Sequence, residues 1–197
     1  MKLIGLTGGI GCGKTTVLEV FESLGVPCFI ADKHASEYYR DSSFLEKIRS
    51  IFGDEVFDNQ GNVDKKAIAA IVFSDHTKLE ELNAIIHPRV MDDFRQWASM
   101  QNAPYVIFES AIIFEYGLEK HLDAIIAVYL EKEERMRRIE NRDKVGRDAI
   151  EARMRNQLSA ESKMDRADFV ILNYEGNPRL RQVKHIDQWL RSSYMNN

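Results

Sequence analysis

Cysteine is scarce in this chain. Two thiols in 197 residues, Cys12 and Cys28, are too few for a disulfide framework. A run of 18 apolar residues and a recognisable signal peptide are also lacking, so the expectation is a cytoplasmic protein with free thiols and no membrane partner. Charge of one sign is not in excess either. With 27 Lys and Arg against 31 Asp and Glu, the net charge of -4 offers no bulk attraction to nucleic acid, and any polyanion must be held by a local site. What remains, 44% hydrophobic and 29% charged residues, describes an ordinary soluble protein able to bury a real core. At this length one domain with insertions fits better than two independent ones; oligomeric state is not set by the sequence.

The most informative stretch is Gly8-Gly9-Ile10-Gly11-Cys12-Gly13-Lys14-Thr15-Thr16. It follows a short apolar run, Leu3 to Thr7, that reads as a strand, and it precedes Val17, Val20, Phe21 and Leu24 at helical spacing. Glycines at this spacing let the backbone turn tightly and aim successive N–H groups at phosphate oxygens, while the helix directs its positive end to the same place. Gly8, Gly9, Gly11, Cys12, Gly13, Lys14, Thr15 and Thr16 are therefore the expected nucleotide-binding set. Lys14 is the mobile charge on the β- and γ-phosphates, and Thr15 supplies a hydroxyl to magnesium. Cys12 is read as a small side chain filling the turn.

Further strands are expected at Val26–Ile30, Tyr105–Phe108, Asp123–Leu130 and Asp168–Leu172, which predicts an α/β fold with a five-stranded parallel sheet flanked by helices. Asp32 then falls at the carboxyl end of a strand, the edge where such sheets bind ligands. Glu109, at the end of the most β-like run, is placed to hold magnesium directly or through water. Residues 33–100 read as a helical insertion for the acceptor, with helices near 33–40, 42–52, 64–72, 76–86 and 89–100. The nucleotide core is then 1–32, 101–130 and 161–197. Residues 131–160 form a lid region with helices near 132–141 and 147–160.

In residues 131–155 nine basic side chains meet seven acidic ones, a balance that argues against a nucleic-acid stripe. Arg138 and Arg142 share a helix face and Arg147 follows the turn at 143–146, an arrangement suited to closing over a transferred phosphoryl group. The competing reading is a solvated hairpin whose arginines pair with nearby carboxylates. Asn173, after the fifth strand, is expected to meet the nucleotide base. A last helix from about Pro178 to Arg191 should cover the sheet.

Taken together, Leu6 to Thr15, Ala31-Asp32, His87-Pro88, Glu115 after Ala111-Ile112-Ile113, Arg142-Asp143 with Arg147 and Gln157, and the run from Asp168 to Asn173 resemble the dephospho-coenzyme A kinase family, a branch of the P-loop kinases. The resemblance implies a nucleotide core, a helical coenzyme-binding region and a lid. It also implies ATP with magnesium as donor, the 3'-hydroxyl of the dephospho-coenzyme A ribose as acceptor, and Asp32 as the base on that hydroxyl. His87 and Glu115 fall at positions the resemblance assigns to the substrate side. Two departures stand out: Ile30 occupies a place where the family often has aspartate, and Ala111 one where it usually has proline. The alternatives are a small-molecule kinase of the adenylate-kinase type and a nucleotide-hydrolysing switch. A guanine-reading switch would usually carry N-K-x-D late in the chain, and Leu172-Asn173-Tyr174-Glu175 is not that motif.

Overall fold

The computed structural model describes residues 1–195. By contact density the chain divides into two units, Met1–Ile30 with Met100–Asn197, and Ala31–Ser99. Among the described residues no helix is long and apolar enough to cross a membrane.

In the first unit, five strands form one sheet: β1 (Lys2–Thr7), β2 (Cys28–Ile30), β3 (Tyr105–Glu109), β4 (Ala124–Tyr129) and β5 (Phe169–Leu172). All neighbouring pairs are parallel, in the order β2-β3-β1-β4-β5. Strands covered on both faces read as continuous apolar runs, and β3, buried at every residue, is the clearest case. On one face the helices α1 (Lys14–Ser23) and α9 (Arg179–Met195) share a core with the sheet, built from Ile4, Leu6, Val17, Phe21, Ile126, Val183 and Ile186. β1 and β3 are in register at Leu6 and Glu109, which brings the start of the phosphate loop and the end of β3 to the same sheet edge.

Strand β2 is shorter than the sequence pattern suggests. Val26 donates its N–H back to Phe21 at the end of α1, and Pro27 has no N–H to give, so pairing starts at Cys28; a proline is tolerable there because β2 is an edge strand. The charged segment after β4 holds α6 (Lys132–Asp143) and α7 (Arg147–Arg155), with Met136, Ile139 and Ile150 packed in a small core of their own. The single helix expected over 147–160 is broken. A separate α8 (Ala160–Arg166) begins after Ser159, whose hydroxyl accepts the N–H of Ser162 as an N-cap.

The second unit is helical: α2 (Ala31–Glu37), α3 (Ser42–Phe52), α4 (Lys65–Ser74) and α5 (His76–Ser99). Asp41 and Asp64 cap α3 and α4 by accepting backbone N–H groups, and Arg89 on α5 reaches Asp41 at 2.6 Å. The expected break at His87-Pro88 does not occur, and α5 runs straight through Pro88. Its buried stripe of Leu82, Val90, Met91, Phe94 and Ala98 stays in helical phase on both sides of the proline. Burying those side chains offsets the roughly 3 kcal/mol that an internal proline costs. Asp32 also differs from expectation, since β2 passes directly into α2 and places it in the helix's first turn.

Candidate active site

The phosphate loop leaves β1 at Thr7 and turns through Gly8, Gly11 and Gly13, all with positive φ, into α1. Gly13 takes the left-handed conformation at the helix N-cap without a side-chain cap, so the first N–H groups of α1 are not consumed by one. Lys14 folds back over the loop and donates to the Gly8 carbonyl at 3.1 Å. Its ammonium lies 3.7 Å from a carboxylate oxygen of Glu109, and the two side chains are 14% and 11% exposed. Thr15 and Thr16 follow as exposed residues on the first turn of α1. Cys12 is fully buried, and desolvation pushes its thiol up, against the opposing pull of Lys14, so it is a packing residue and not a reactive thiolate.

Two neighbours lie against the loop from outside. Asn173 is buried; its amide nitrogen donates to the Cys12 carbonyl at 2.6 Å and its oxygen accepts from Arg179 at 2.9 Å. The residue expected at a nucleotide base thus has both ends of its amide turned to the protein. A Cβ on Gly13 would collide with that amide nitrogen, so close approach as well as positive φ requires glycine there. The second neighbour, Arg135, was not among the expected site residues. It is 7% exposed, its Nη1 would collide with a Cβ on Gly9, and among the described residues its Nε has no hydrogen-bond partner.

The three arginines expected to close over the phosphoryl group are engaged with carboxylates of their own segment. Arg138 pairs with Glu134 at 3.0 Å, Arg142 with Asp143 at 2.6 Å and Arg147 with Glu133 at 2.7 Å. Exposed pairs of this kind are worth little and open readily toward a stronger anion. Arg138 and Arg142 also line a polar cavity of about 660 Å³ with Tyr174, Asn177 and Arg179, and Arg138 donates to the Asn173 carbonyl at 3.4 Å. A larger hollow of about 760 Å³ lies against β5 and α9 and contains none of the phosphate-loop residues, so size alone does not mark the site.

Glu115 lies in the turn that follows β3. It accepts the Leu158 N–H at 2.9 Å and pairs with the ammonium of Lys163 at 2.6 Å. His87 and Asp32 belong to the helical unit. Burial pushes His87 down to about 4, so at neutral pH it carries no charge to offer a phosphate. In an unfolded chain the same ring titrates at its usual 6.5. The linkage therefore leaves stability intact above pH 6.5 and removes it as pH falls toward 4, because the unfolded state then binds the extra proton. Urea midpoints measured across that interval should fall more steeply for the wild type than for His87→Gln; parallel curves would show that His87 is not the group responsible.

A family profile described as dephospho-CoA kinase matches residues 2–178. A dephospho-CoA kinase from Fusobacterium nucleatum is 39% identical over 173 residues, covering 88% of this chain and 90% of the relative. A crystal structure from Thermus thermophilus superposes with a TM-score of 0.86 at 32% identity, covering 95% of this chain and 96% of the other. A dephospho-CoA kinase from Campylobacter jejuni gives 0.67 at 28% identity, with coverage of 97% and 98%.

Proposed function

The chain belongs to the dephospho-CoA kinase family, and from that premise we propose that it transfers the γ-phosphoryl group of ATP to the ribose 3'-hydroxyl of dephospho-coenzyme A, releasing coenzyme A and ADP. The observation that carries the reading is the phosphate loop with Lys14 drawn over it and the Glu109 carboxylate 3.7 Å from that ammonium. In the proposed step the acceptor oxygen bonds to the γ-phosphorus as the bond from that phosphorus to the bridging oxygen breaks. The electron pair leaves with ADP, and the hydroxyl proton passes to Asp32.

Little covalent work falls to side chains in such a transfer, so positioning and charge carry most of the rate. The loop N–H groups and Lys14 hold the β- and γ-phosphates, and the cavity beside Arg138 and Tyr174 receives the nucleoside. Arg142 and Arg147, released from Asp143 and Glu133, add charge as oxygens become more negative. Magnesium fits the donor set available: the Thr15 hydroxyl and the buried Glu109 carboxylate are hard oxygen ligands, few enough to leave the ion its waters. When bound, the ion neutralises charge on the β- and γ-phosphate oxygens. Asp32 is supported as the base by its place two residues past Ile30, the β2 residue paired in register with Glu109.

An acceptor panel with ATP tests the assignment. Dephospho-coenzyme A should be phosphorylated with a kcat/KM at least about 10²-fold above any nucleoside monophosphate or pantothenate, with water far slower. Equal turnover of a nucleoside monophosphate would move the protein to the small-molecule kinase alternative, and ATP hydrolysis without transfer would favour the switch.

A further inference from the structure

Lys163 carries its ammonium into the protein interior at 1% exposure, an unusual place for a residue with no role in the sequence motifs. The group has two partners, the Glu115 carboxylate at 2.6 Å and the Ala111 carbonyl. Removing two charges from water is costly, and a pair of well-packed apolar side chains would hold α8 in place at least as well. Stability alone therefore does not account for the pair. What it supplies is direction. The oxygen of Glu115 that faces Lys163 also accepts the Leu158 N–H, while the other oxygen is buried with no hydrogen-bond partner among the described residues. Leu158 lies in the connection between α7 and α8, and its neighbour Gln157 accepts the N–H of Ile10 at 3.0 Å, inside the phosphate loop.

We infer that Lys163 is a positioning residue for phosphoryl transfer: through Glu115 it fixes the 157–158 connection, and through Gln157 it fixes the phosphate loop at Ile10. The path runs across three separate parts of the first unit, the turn after β3, the α7–α8 connection and the loop after β1. Each link is one hydrogen bond or ion pair, so each can be cut singly. The inference rests on the kinase reading above, and its test separates the two.

The test uses the full chain with three changes: K163M, the double change K163M/E115M, and Q157A. K163M alone leaves a buried carboxylate unpaired and is expected to lower the melting temperature. The double change removes both charges and should restore the melting temperature, yet kcat with ATP and dephospho-coenzyme A should stay at least tenfold low. Q157A, which leaves the buried pair intact, should show a similar loss in kcat with little change in melting temperature. A purely structural role predicts instead that the double change recovers kcat along with stability; kcat within twofold of wild type for the double change and for Q157A would overturn the inference. Amide exchange at Ile10 provides a readout independent of turnover. It should quicken at least tenfold in Q157A and in the double change, and unchanged exchange in both overturns the positioning role. A wild-type protein that does not phosphorylate dephospho-coenzyme A would overturn the proposed function, and the exchange result would then decide this inference by itself.

Discussion

Lys14→Ala should lower kcat for phosphoryl transfer by about 10³-fold, equivalent to about 4 kcal/mol of lost transition-state stabilisation, while the protein remains folded. The size follows from where the charge sits. Lys14 is mostly shielded from water, so its interaction with phosphate oxygens is screened far less than that of an exposed lysine. Its removal also takes a positive charge away from the Glu109 carboxylate, on the face where more negative charge must gather. Substrate and product phosphates feel part of this change, so the KM for ATP should rise as well, but less than kcat falls. Melting temperature should move by only a few degrees, because the apolar core of Ile4, Leu6, Val17 and Phe21 is left unchanged. Arginine is not a conservative replacement here, since a planar fork cannot fold back onto the Gly8 carbonyl as a compact ammonium does. A kcat within threefold of wild type in Lys14→Ala would remove this residue from the mechanism.

The parts of the site that lie within one short stretch of chain were legible in the sequence, and the parts assembled across it were not. The phosphate loop is a local structure: its glycines, its lysine and the flanking strand and helix are all set by residues 3 to 24, so spacing suffices to read it. The parallel sheet is legible for a related reason, because β1, β3 and β4 are apolar runs ended by polar residues. Local rules misjudged α5, where the cost of Pro88 is real but smaller than the burial that continues beyond it. They also missed the break before α8, although Ser159 followed by Glu161 is a helix-start signal. Asn173 shows the deeper limit. Its partner Cys12 is 161 residues away, and a single Asn after a strand looks the same whether its amide faces a base or the protein. Arg135 and Lys163 are similar: among nine basic residues of a charged hairpin, or in a short helix, nothing local tells which cation is buried.

Asp32→Asn should lower kcat by about 10²-fold or more and leave ATP binding nearly unchanged. The amide keeps the size of the carboxylate and still accepts a hydrogen bond, so the acceptor hydroxyl can be oriented in the ground state. What it cannot do is take the proton as the oxygen bonds to phosphorus. The placement of Asp32 in the first turn of α2 introduces a competing role, because a negative charge there favours the helix through its N–H groups. That role predicts a lower melting temperature for Asp32→Asn and an unchanged kcat at temperatures where the protein is folded. A third role, ordering magnesium-bound water, predicts activity that excess magnesium partly restores. The two units differ in what each measurement reads: helix stability belongs to the unit containing Asp32, whereas ATP affinity belongs to the unit containing the phosphate loop. A base role therefore requires three results at once in Asp32→Asn: low kcat, wild-type affinity for ATP, and no response to added magnesium. Substantial rescue by magnesium, or turnover near that of the wild type, would withdraw Asp32 as the base.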